Sequence, residues 1–229
     1  MCAPAHFASR DAQPGDNRFM SAHRTEQENF WAGEFGSAYV GRNQSETLLA
    51  ANVHLFSRIL QCTRGVANVL ELGANIGMNL KALRVLVPGL RATGVEINQD
   101  AATELGKLPD VTAVHGSILD FVAPRPFDLT FVKGVLIHIN PQMLNQVYDT
   151  LFAASARYVC VIEYYNPSPV TVSYRGHADR LFKRDFAGEM LDRHTGLSLV
   201  DYGFAYRRDP NFPQDDLTWF LMEKRSVAI

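Results

Sequence analysis

The chemistry in this sequence starts with one short segment, Glu71-Leu72-Gly73-Ala74-Asn75-Ile76-Gly77, which closes an apolar run beginning at Val66. Two glycines four residues apart allow a tight turn and close approach of the backbone to a ligand. The middle glycine of G-x-G-x-x-G is missing, and so is the lysine of a phosphate-binding P-loop. A pyrophosphate cradle is therefore less favoured than a site for a ligand carrying a nucleoside and an amino acid. About twenty residues beyond the glycines, Glu96-Ile97 ends a second apolar run. A carboxylate there can accept both ribose hydroxyls and would repel a 2′-phosphate. Two further segments stand at the ends of apolar runs, His115-Gly116-Ser117-Ile118 and Lys133-Gly134-Val135-Leu136-Ile137-His138. Ser117 and Ile118 are expected along the base, and His138 at the reacting centre.

Such residues converge only if strands and helices alternate. Val66–Leu72, Ala92–Ile97, Val111–His115, Phe127–Val132 and Tyr158–Glu163 have strand character, separated by helical stretches at Gly77–Val87, Gln99–Gly106 and Pro141–Ala154. This alternation predicts an α/β fold, a mainly parallel sheet with helices on both faces. Ligands of open sheets of this kind bind at the carboxyl ends of the strands. A loop-rich stretch is expected as far as Arg180, then a helix over Asp185–His194. Two closing strands, Leu197–Tyr206 and Leu217–Glu223, have no helix between them and predict an antiparallel edge hairpin, seven strands in all. At the N-terminal side Thr25-Glu26-Gln27-Glu28 matches a capping box for a short helix ending near Gly33 or Gly36. A second helix is expected over Ser45–Gln61. Residues 1–20 form an expected flexible leader, 21–63 a helical cap or lid, and 64–229 the ligand-binding domain.

Composition narrows the setting. The chain has 229 residues, 47% of them hydrophobic, and a formal net charge of -2. That suits one domain and gives no basic surface for nucleic acid. No apolar run reaches the ~20 residues of a membrane span. Three widely spaced cysteines make no disulfide framework, which suits a cytoplasmic protein, and seven scattered histidines suggest no metal site. A small-molecule substrate is the expected partner.

The order V-L-E-L-G-A-N-I-G, G-V-E-I-N and F-D-L-T-F-V-K-G-V-L-I-H resembles motifs I, II and IV of class I methyltransferases that use S-adenosylmethionine (SAM). The resemblance covers about Val66 to His138 and implies a Rossmann-like fold of seven strands with SAM as cofactor. It departs from the common pattern by placing Asn75 where a middle glycine usually stands. More narrowly, Thr25 to Gly36, Lys133 to Pro141, Glu163 to Pro167 and Tyr174 to Phe186 resemble the pseudaminic acid biosynthesis-associated methylases. That group is similar to azetidine-2-carboxylate synthases, which cyclise SAM itself. The implied reaction is methyl transfer to N or O of a small polar metabolite, as in secondary metabolism; the alternatives are SAM cyclisation releasing methylthioadenosine, and a catalytically silent SAM-binding scaffold.

On this reading Glu71, Gly73, Asn75, Gly77, Glu96, Ile97, Ser117, Ile118 and Lys133 hold the cofactor. Glu71 either binds the ammonium of the methionine moiety or complements a helix dipole. Lys133 either holds a carboxylate or, as favoured, pairs with Glu163. His138 is a candidate base. Tyr164 or Tyr165 would steady the cationic sulfur through an aromatic face, with Asn166 orienting an amine or hydroxyl. Phe30 and Trp31 either close over the ligand, with Glu26 or Gln27 adding polar contacts, or staple the first helix to the core. Tyr174 and Arg175 lie on a segment expected to cap the pocket.

Overall fold

A computed structural model describes residues 24–40, 45–174 and 177–225. The expected leader, residues 1–20, lies outside them. Three helices open the described chain: α1 (Glu26–Ala32), α2 (Glu34–Val40) and α3 (Glu46–Leu60). The capping box at Thr25 forms, with both reciprocal bonds to Glu28 present. Gly33, in an extended conformation, ends α1 where a helix end was expected, and a second short helix, α2, follows at once from Glu34.

The alternating part comprises β1 (Asn68–Leu72), α4 (Met78–Leu86), β2 (Arg91–Glu96), α5 (Gln99–Leu105), β3 (Val111–His115), β4 (Phe127–Lys133), α6 (Leu144–Ala154) and β5 (Ser155–Glu163). Single 3-10 turns stand at Leu136–His138 and Pro141–Met143, the second forming the start of the helix expected at Pro141. Next come β6 (Val170–Tyr174), β7 (His177–Lys183), α7 (Phe186–Arg193), β8 (Leu197–Ala205) and β9 (Leu217–Lys224). Strands β6 and β7 pair with each other as a separate antiparallel ribbon. Among the described residues the expected loop-rich stretch is loop only over residues 164–169; from Val170 the β-branched Val170, Thr171 and Val172 outweigh the flanking prolines.

The main sheet runs β3-β2-β1-β4-β5-β9-β8. Its first five strands are parallel, while β9 pairs antiparallel with both β5 and β8, giving the expected edge hairpin. Side chains alternate across it, except at irregularities between Phe127 and Leu129 and between Leu199 and Asp201. Val69, Phe131, Tyr158, Cys160 and Ile162 meet α3 and α4 on one face. Leu70, Leu72, Val132, Val159 and Val161 meet α6 and α7 on the other. Strand order reverses between β1 and β4, because the chain crosses there from one half of the sheet to the other. The functional side chains gather at the carboxyl ends on either side of that point.

Candidate active site

A cavity of about 270 Å³ opens above the ends of β1, β2 and β4, and α1 lies across it. Its first wall is the loop after β1. Gly73 and Ala74 donate their N–H groups to the Val95 carbonyl at 2.8 and 3.0 Å, which ties the loop to β2. Gly73 has φ +78°, and a Cβ there would stand 2.5 Å from the Val135 side chain. Asn75 takes φ +48°, a left-handed conformation that asparagine tolerates better than other residues with a side chain. It thereby replaces the missing glycine, and its Oδ1 accepts the Ile76 N–H at 2.8 Å. Gly77, at φ +80°, caps α4. It does not line the cavity: a Cβ there would meet Leu105 and Leu108, so its smallness serves packing against α5 and the turn after it.

Glu96 forms the second wall. One carboxylate oxygen accepts the Asn75 N–H at 2.7 Å and the other the Asn98 N–H at 2.8 Å. Burial raises its pKa, and these backbone bonds work in the opposite direction. Each oxygen keeps a further lone pair, and the residue lines the cavity beside Ile97, Ser117 and Ile118. Asn98, two residues on, caps α5 through its Oδ1. Its Nδ2 faces the carbonyls of Trp31, Ala32 and Gly33 at 3.4 Å and the Ser37 hydroxyl at 3.2 Å. One asparagine thus joins the sheet to the covering helices.

The floor differs from what the sequence suggested. Glu71 and Lys133 end neighbouring strands on the α3–α4 face. Glu71 is completely buried and does not line the cavity. Its Oε1 accepts Asn79 Nδ2 at 2.6 Å, so it meets the cavity through Asn79. Burial pushes its pKa up to about 8, against the opposing effects of Asn79 and the Lys133 charge. Lys133 lines the cavity but does not pair with Glu163; its ammonium donates to Asn52 Oδ1 at 3.1 Å. The same oxygen accepts Gln214 Nε2 at 2.9 Å. Burial lowers the Lys133 pKa, partly offset by Glu71, Asp215 and Glu163.

Glu163 bonds backbone instead: its Oε1 accepts the N–H groups of Val135 and Leu136, both at 2.7 Å. Strand alternation also puts Glu163 on the opposite face. It clamps the turn that carries His138, and burial pushes its pKa up to about 7 despite these bonds. His138 lines the cavity with its ring centroid 4.6 Å from that of Trp31.

Tyr164 lines the cavity, and the Lys183 ammonium lies 5.1 Å from its ring centroid. Tyr165 and Asn166 do not line it. Consecutive residues of an extended chain face opposite ways, which sends Tyr165 towards Phe220, with ring centroids 5.9 Å apart. Asn166 instead donates to the Ser168 carbonyl at 2.5 Å. In α1, Gln27 and Trp31 line the cavity. Phe30 turns away and stacks on Phe35 at 4.2 Å. The ribbon contributes Leu181 to the lining; Arg175 and the Tyr174 side chain lie outside the described residues. Asn52, Asn79, Gln214 and Asp215 also line the cavity and were not singled out from sequence. Asn52 did leave a trace, a polar residue one turn after Leu48 on the apolar face of α3.

Among the described residues no cluster of three metal-ligating side chains is present, and no helix is long and apolar enough to cross a membrane. No known family profile and no curated protein matches the chain. Solved structures do. A SAM-dependent methyltransferase from Leishmania major superposes with TM-score 0.65 at 15% identity, covering 86% of this chain and 80% of that one. The 1,6-didemethyltoxoflavin N1-methyltransferase of Burkholderia thailandensis, solved with bound 1,6-didemethyltoxoflavin and S-adenosylhomocysteine, gives 0.63 at 15%, covering 87% of each. This is the class I methyltransferase fold. A mitomycin 7-O-methyltransferase gives 0.60 at 14%, over 87% of this chain; the chain spans 61% of that protein's length.

Proposed function

We propose that this protein is a SAM-dependent methyltransferase acting on a nitrogen or oxygen of a small polar metabolite. The observation that carries the reading is Glu96: a buried carboxylate held by two backbone N–H groups, facing the cavity across from the glycine bend. Such an acceptor suits a ribose without a 2′-phosphate. The opposite end suits an amino-acid tail. Glu71 Oε2 and Asn79 Oδ1 are buried there without a hydrogen-bond partner, and buried polar atoms are rarely left so. An ammonium in the cavity would bond Asn79 Oδ1, with the Glu71 carboxyl behind it, and the Lys133 ammonium, beside it in the floor, would take a carboxylate. The neighbouring methyltransferase from Burkholderia, solved with S-adenosylhomocysteine, supports the same ligand class.

SAM, when bound, supplies an electrophilic methyl group on a cationic sulfur. The residues of this chain need to place an acceptor in line with it and exclude water; orientation of this kind is worth ~7–11 kcal/mol. Helix α1 and the β6–β7 ribbon act as the cover, with Trp31 and Leu181 closing the cavity. His138, kept in place by the Trp31 ring and by the Glu163-clamped turn, takes the proton that the acceptor loses. Tyr164 offers an aromatic face to developing positive charge. Calorimetry with SAM and S-adenosylhomocysteine tests the cofactor; absence of binding by folded protein would end this reading. Incubation with SAM alone, followed by mass spectrometry, tests the reaction. SAM should persist until an acceptor is added, whereas enzymatic release of methylthioadenosine would replace transfer by cyclisation.

A further inference from the structure

Two carboxylates lining the cavity have no part in that reading, the exposed Asp215 and the buried Glu28. Glu28, in the first turn of α1, is only 6% exposed and lines the cavity. Its Oε2 accepts the Thr25 N–H at 3.0 Å, which completes the capping box. A capping box needs no burial, and an exposed glutamate performs it equally well. The second oxygen, Oε1, is turned inwards and accepts the Ser117 hydroxyl at the end of β3. No cation of the described residues pairs with Glu28. A carboxylate buried without a cation is costly unless donors surround it, and Oε1 has room for one more.

The position of that oxygen identifies the donor. Among the described residues three acidic side chains line the cavity: Glu96, Asp215 and Glu28. Glu96 stands at the sugar, and Asp215 adjoins Gln214 on the Lys133 side. Glu28 stands with Ser117, Ile118 and Leu119, where the base of the nucleoside lies if the cavity holds SAM. Adenine presents an exocyclic amino group there, a pure hydrogen-bond donor.

We infer that Glu28 Oε1 accepts the 6-amino group of adenine, so that the covering helix, and not the sheet alone, recognises the base. Ser117 serves as the positioning residue, since its hydroxyl fixes Oε1. Adenine binding and closure of α1 are then one linked event. The inference rests on the SAM reading of the cavity, but the two fail differently.

The probes are S-adenosylhomocysteine and its 6-oxo analogue S-inosylhomocysteine, titrated calorimetrically into the full chain. A 6-oxo group turns lone pairs towards the carboxylate, and loss of a charge-assisted bond corresponds to roughly 10-fold or more in affinity. Wild-type protein should prefer the adenine ligand by that factor. In E28Q the amide oxygen can stay on the Thr25 N–H while the amide nitrogen faces the base. The variant should bind S-adenosylhomocysteine about 10-fold more weakly, and its preference should vanish or reverse. A folded E28Q with the wild-type preference would overturn the assignment. Equal affinity of wild-type protein for both ligands would overturn it without any variant, even if E28Q does not fold. Binding of neither ligand by folded wild-type protein would remove the SAM reading itself.

Discussion

The two ends of the cavity are built on opposite principles. At the β2–β3 end the polar groups carried by the sheet are satisfied by the protein: both Glu96 oxygens accept backbone N–H groups, and Asn98 bonds on both sides of its amide. At the β1–β4 end Glu71 Oε2 and Asn79 Oδ1 have no hydrogen-bond partner, and Lys133 is held by a neutral amide rather than an acid. The first end has its geometry before any ligand arrives. The second keeps acceptors without a partner. On the proposed reading the fixed end would hold the nucleoside, and the adjustable charges would surround the reactive tail.

The largest expected effect breaks the ready-made end. Glu96→Ala should weaken S-adenosylhomocysteine binding about 100-fold or more, since two charge-assisted bonds at ~1.5–3 kcal/mol each would go. Two loop N–H groups would also lose their acceptor, and thermal unfolding should show a lower midpoint. Calorimetry giving a near-wild-type dissociation constant would dissolve the contrast. Next in size, Glu163→Ala should cost roughly 2–4 kcal/mol of stability in denaturant unfolding by orphaning the Val135 and Leu136 N–H groups. It should also lower turnover more than it weakens cofactor binding, because the turn carries His138.

A smaller effect sharpens the other end. The folded-state pKa of Glu71 lies near 8 and that of Glu163 near 7, both raised by burial from 4.5. The folded protein therefore holds protons that the unfolded chain has released. The resulting stability is fully present below about pH 4.5 and is lost as pH rises through about 7 to 8. Glu71→Gln should flatten the upper part of that decline, as measured by denaturation midpoints across pH; an unchanged slope would mean Glu71 is already ionised. Smallest of all, breaking the exposed Arg157–Glu223 pair by Arg157→Ala should change stability by less than about 1 kcal/mol.

The sequence showed most clearly what depends on near neighbours. The βα alternation, the Gly73–Gly77 bend and Glu96 are all expressed within short windows, and the edge hairpin followed from two strands without a helix between them. Contacts across long separations were hidden. Lys133 meets Asn52 across 81 residues and Glu28 meets Ser117 across 89, and no local pattern records either. Tyr164-Tyr165-Asn166 shows a subtler obstacle: proximity along the chain suggested a cluster, but alternation of an extended backbone lets only Tyr164 enter. The β6–β7 ribbon was obscured by Pro167 and Pro169, which drew attention away from the Val170–Val172 run.

Helix α1 is only seven residues long and touches the ends of three strands, through Asn98, Ser117 and His138. A segment of two turns does not persist as a helix in water. Detached from those anchors and from Phe35 of α2, it would melt, so uncovering the cavity would be a local unfolding event rather than the swing of a rigid door. Product release would then carry the temperature and denaturant sensitivity of a helix–coil transition.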